Sequence, residues 1–68
     1  MKLTVQLELE TDGRWIAEVM EIPGTLAYGE TSKHALARAK ALALRVIADR
    51  IEHGESAPDT DTITFEAA

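Results

Sequence analysis

From Ser32 to Glu52 the chain carries neither glycine nor proline, and nine of its residues there are alanine or leucine. No other stretch limits the possible folds as strongly. It predicts a single helix about 30 Å long, a large element for a chain of 68 residues. Thr31 suits the N-cap and Gly54 the position just past the end. At about 100° per residue, Ala35, Leu36, Ala39, Leu42, Ala43, Val46 and Ile47 share one broad apolar face. Arg50 projects into that face near the C-terminal end, where its stem can pack and its charge favours the macrodipole. A shallower strip holds Ala37, Ala41, Leu44 and Ala48. His34, Arg38, Arg45 and Asp49 form the charged side. The remainder of the chain must cover the broad face.

Strand patterns supply the cover. In "LTVQLEL" Leu3, Val5, Leu7 and Leu9 alternate with Thr4, Gln6 and Glu8, the period of a half-buried strand. Asp12-Gly13 marks a hairpin. "RWIAEVM" alternates again and sends Trp15, Ala17 and Val19 to the core. Ile16 and Met20 then lie on the outer face, unusually apolar for a surface left to solvent. Pro23 ends this strand, since it cannot donate to a ladder. Pro23-Gly24 predicts a tight turn with positive φ at the glycine. "TLAY" follows as a short strand with Leu26 and Tyr28 on one face, and Gly29 lets the chain bend away into the helix. A polar loop around Pro58 leads to "TITFEA", a fourth strand with Ile63 and Phe65 on one face. The expected fold is α+β: one small domain over residues 1–68, ordered β-β-β-α-β, an antiparallel sheet with one long helix packed on a face.

So short a chain buries only roughly 60% of its unfolded surface. Domains of this size are commonly reinforced by disulfides, metals or association. There is no cysteine, which leaves association, and homo-oligomerisation is expected. The small core, outward Ile16 and Met20, and the second helix strip point the same way. No apolar run approaches a membrane span, and "MKLTVQLELE" lacks the apolar core of a signal peptide. The chain reads as soluble and cytoplasmic.

Charge narrows the function. The net charge is −5, which disfavours DNA or RNA as a principal ligand. Residues 1–31 contain Glu8, Glu10, Asp12, Glu18, Glu21 and Glu30 against Lys2 and Arg14 only. Lys33, Arg38, Lys40, Arg45 and Arg50 crowd onto the helix. An acidic surface of this kind suits a basic partner. His34 and His53 lie roughly 28 Å apart along the helix and cannot share a metal. Ser32 and Ser56 lack a neighbouring base, and the glycines fit neither a P-loop nor a dinucleotide fingerprint. Neither an enzyme nor a cofactor site is expected.

Trp15, Ala17, Val19, Ile22, Pro23 and Gly24, followed by Gly29, Glu30, Thr31, Ala35 and Leu36, occur in the order and spacing of the HicB-like antitoxin family. The resemblance covers about residues 3–53. The sequence departs from the family at Thr25, often cysteine, and at His34, often glutamate. The resemblance implies a partial ribonuclease-H-like fold without a catalytic carboxylate set. It implies a protein that binds a small basic ribonuclease toxin of the HicA type and occludes its RNA-cleaving surface. Many members add a C-terminal DNA-binding domain; none follows here, so direct DNA binding is not expected. Glu8, Glu10, Glu18 and Glu21 are the acids expected to face the partner, with Ile16 and Met20 as apolar anchors. Two rival readings remain: a stand-alone oligomeric interaction module, and an RNA-binding domain carried by the helical bases.

Overall fold

The structure is a computed structural model that describes residues 1–55 and 60–68. Its elements are β1 (Lys2–Leu9), β2 (Trp15–Val19), β3 (Leu26–Gly29), α1 (Ser32–Glu52) and β4 (Thr64–Ala67). The strands form one sheet in the order β3-β2-β1-β4. The expected element order is therefore observed, but the sheet is mixed rather than antiparallel: β4 pairs with β1 in parallel. The reason is the helix. It starts at the far end of β3 and returns along the sheet, so the chain re-enters in the direction of β3. That direction is also the direction of β1. Part of the polar loop, including Pro58, lies outside the described residues.

Local chemistry sets the turns. Gly13 donates to the Glu10 carbonyl at 3.0 Å, and Glu10 donates to the Arg14 carbonyl at 2.7 Å. Gly13 has φ +90°. The hairpin therefore has a three-residue loop closed by a glycine bulge. Asp12 fastens it: its carboxylate accepts the Arg14 N–H at 3.0 Å and the Arg14 Nε at 2.8 Å. In the next turn, Thr25 donates to the Ile22 carbonyl at 3.1 Å. Pro23 and Gly24 sit between them, with Gly24 at φ +83°, the geometry of a type II turn.

The helix starts where Thr31 caps it: the Thr31 hydroxyl accepts the His34 N–H at 3.0 Å. It ends at His53, whose N–H and ring Nδ1 both reach the Asp49 carbonyl. Gly54 follows in the left-handed region at φ +71°.

Leu3, Val5, Ala17, Val19 and Ile22 pack against Ala35, Ala39, Ala43 and Ile47. Four of these nine are alanine, so the helix sits close to the strands and the core is thin. Gly29 enforces the closest approach. A Cβ placed there would lie 2.4 Å from the Ala35 backbone nitrogen. The helix lies over β3 and β2 and much less over β1. One expected core residue is therefore left out: Leu9, at the end of β1, is 55% exposed. Leu7, Leu36 and Phe65 are half-buried and pack against the margin of the core. No helix among the described residues is long and apolar enough to cross a membrane.

Candidate protein-binding surface

The helix covers one face of the sheet, and the register places the remaining side chains on the other. Gln6 pairs with Glu18 and Glu8 with Ile16 across β1 and β2. Ile16 pairs with Tyr28 and Glu18 with Leu26 across β2 and β3. Two rows therefore cross the open face, Glu8–Ile16–Tyr28 and Gln6–Glu18–Leu26. Met20 extends the β2 column, its N–H donating to the Thr4 carbonyl at 2.9 Å. Met20 is 50% exposed and Leu26 37%, whereas Ile16 and Tyr28 are half-buried.

The result is an apolar patch of Ile16, Tyr28, Leu26 and Met20 on the β2–β3 side, bordered and crossed by Glu8 and Glu18. At one end the Arg14 guanidinium lies 4.3 Å from the centre of the Tyr28 ring, a cation–π contact that also steadies the ring. The same guanidinium holds Asp12, so its charge is already matched.

Four of the six residues expected at the interface come together here: Glu8, Ile16, Glu18 and Met20. Glu10 lies beyond them at the hairpin end, its backbone closing the loop with Arg14. Glu21 has a different task. Its Oε1 accepts the Thr4 N–H at 2.7 Å, next to the point where β2 turns away from β1. That hydrogen bond is the main cause holding the Glu21 carboxyl below its ordinary value of 4.5, with Lys2 adding a smaller attraction. Asp12 is likewise held below 3.8, chiefly by the Arg14 N–H. Leu26 and Tyr28 belong to the patch without having been assigned to it. Their shared parity is visible in sequence, but the face they occupy depends on the register across the Ile22–Thr25 turn.

Among the described residues no three metal-ligating side chains cluster. No family model, curated protein or solved structure matches the chain.

Proposed function

We propose that the chain is an antitoxin-like binding protein of the HicB type, which covers the RNA-cleaving surface of a small basic ribonuclease and excludes RNA from it. The observation that carries this reading is the open face of the sheet. An apolar centre supplies affinity and carboxylates at its border supply orientation and rapid encounter with a cationic surface. Ile16 and Tyr28 are the anchors, being already partly desolvated in the free protein. Glu8 and Glu18 select a basic partner. The partner class comes from the sequence resemblance, and the protein acts by steric and electrostatic occlusion in the cytoplasm, without catalysis of its own.

The test is affinity capture of the tagged chain from its own cells, read by mass spectrometry and native mass. A small basic protein should be recovered in stoichiometric amount. Glu8→Lys together with Glu18→Lys should release it. Its ribonuclease activity should fall when the wild-type chain is added back. Recovery of the chain alone, or of a partner indifferent to both substitutions, overturns the proposal.

A second reading, a self-associating interaction module, draws on the outward strip of the helix. Leu44 is 44% and Ile51 52% exposed, and they alternate with Ala37, Ala41 and Ala48 at the three- and four-residue spacing of a helix seam. A light-scattering mass of 7.4 kDa at tens of micromolar removes this reading.

A further inference from the structure

β3 is an edge strand. The Val19 N–H donates to the Thr25 carbonyl, and bonded pairs alternate along an antiparallel ladder. Thr25, Ala27 and Gly29 therefore direct their backbone groups to β2, and Leu26 and Tyr28 direct theirs outward. The Arg38 guanidinium confirms the direction by donating to the Tyr28 carbonyl at 3.0 Å. The outward N–H of Leu26, its carbonyl, and the N–H of Tyr28 form a ladder that no strand among the described residues extends.

A cavity of about 510 Å³ runs between this edge and the helix, with Leu26, Ala27, Ala41 and Leu42 along it and Arg38 and Arg45 in its wall. Among the described residues no carboxylate lines it. A smaller recess of about 250 Å³ shares Tyr28 and Arg38 with it and is lined further by Arg14, His34 and one carboxylate, Glu30. Arg45 is exposed and pairs with no acid among the described residues. In a chain of net charge −5, the groove has the opposite sign to the molecule.

We propose that this groove receives an extended acidic segment of a partner polypeptide, added to β3 as a further strand. The edge needs both a donor and an acceptor, which a peptide backbone provides and a phosphodiester backbone does not. Alternation sorts the guest's side chains. One set turns to the helix side and meets Arg38 and Arg45; the other lies beside Leu26 and Tyr28. Carboxylates suit the first set and aliphatic groups the second. From His34 to Arg45 the helical wall extends about 16 Å, room for about five extended residues. A second copy fits less well, because pairing β3 with β3 would set the Arg38 and Arg45 of both copies at one junction. The site adjoins the acidic open face at Leu26 and Tyr28 but, through Arg38 and Arg45, selects a guest of opposite charge.

The test uses a fluorescein-labelled peptide alternating Glu and Val, with a Lys–Val peptide and a single-stranded oligonucleotide as comparisons. Anisotropy at low salt should show saturable binding of the Glu–Val peptide alone. Amide exchange should slow at Leu26 and Tyr28 and stay unchanged at Ala27, already bonded to β2. Arg45→Glu, on an exposed helix position, should keep the circular dichroism spectrum and weaken binding about tenfold or more. The Arg38→Glu/Arg45→Glu pair should take the Lys–Val peptide instead; if that pair unfolds, Arg45→Glu alone decides. Absence of saturable binding overturns the proposal, as does binding indifferent to Arg45→Glu. Preference for the oligonucleotide also overturns it. So does protection of Leu26 and Tyr28 in a dimer without peptide.

Discussion

The two faces of the sheet use the same strands and the same alternation, yet they are built to different rules. The centre of the covered face is made mainly of small and β-branched residues, Ala17, Val5 and Val19 below and Ala35, Ala39 and Ala43 above, with Leu3 beside them and Trp15 and Phe65 packed at the margin. Small side chains let a helix approach closely, and close approach tolerates no added atom. The open face carries larger side chains, Ile16, Tyr28, Leu26 and Met20, with carboxylates beside them. No element among the described residues packs over them, so their surface is available to a partner. The difference separates stability from recognition: substitutions on the covered face should be read in the melting curve, and substitutions on the open face in binding.

The sharpest way to break this division is Gly29→Ala. Its Cβ would meet the Ala35 backbone at 2.4 Å, and the loss should be about 3 kcal/mol, a large share of the roughly 5 kcal/mol typical of a small domain. Gly13→Ala is the control. Nothing lies within 4 Å of its Cβ, so only the left-handed conformation costs, about 1–2 kcal/mol. Equal losses in urea denaturation would show that the helix does not pack as described.

Next come Val5→Ala and Val19→Ala, both fully buried, each expected to cost about 2 kcal/mol. Leu9→Ala, at a 55% exposed site, should stay within about 0.5 kcal/mol although it shares Val5's strand and parity. Thr31→Ala removes the acceptor for the His34 N–H and should cost about 1 kcal/mol.

Glu21 is a carboxylate that serves the fold. The folded value of Glu21 is depressed below 4.5 by the Thr4 N–H. Its ionised form therefore stabilises the fold above that pH, and the contribution is lost as pH falls through the lower folded value. Glu21→Gln should flatten the fall of the melting temperature between roughly pH 5 and pH 3. The smallest effect on folding is expected for Glu8→Lys with Glu18→Lys: stability within roughly 0.5 kcal/mol, but loss of the basic partner we propose.

Sequence alone determined the elements of this protein whose causes are local. Asp12-Gly13, Pro23-Gly24 and Thr31 carry their own turn and cap chemistry, so the hairpin, the type II turn and the helix start were legible without neighbours. The alternation in β1 and β2 determined which residues share a face, and the hairpin register then brought Glu8, Ile16, Glu18 and Met20 together. The partner class we propose rests on the resemblance to HicB-like antitoxins, together with the acidic charge at Glu8 and Glu18.

Tertiary structure decided what depends on where the helix lies. Its return path made β4 parallel. Its position over β2 and β3 left Leu9 outside the core, although Leu9 follows the same alternation as Leu3 and Val5. Its backbone made glycine necessary at position 29, through a clash with Ala35 rather than through φ. The end of β2 converted Glu21 from a surface acid into a partner for the Thr4 N–H. The free edge of β3, and the arginines beside it, likewise exist only once β4 has added to the opposite edge. Alternation specifies which face a residue takes; only packing specifies what, if anything, covers that face.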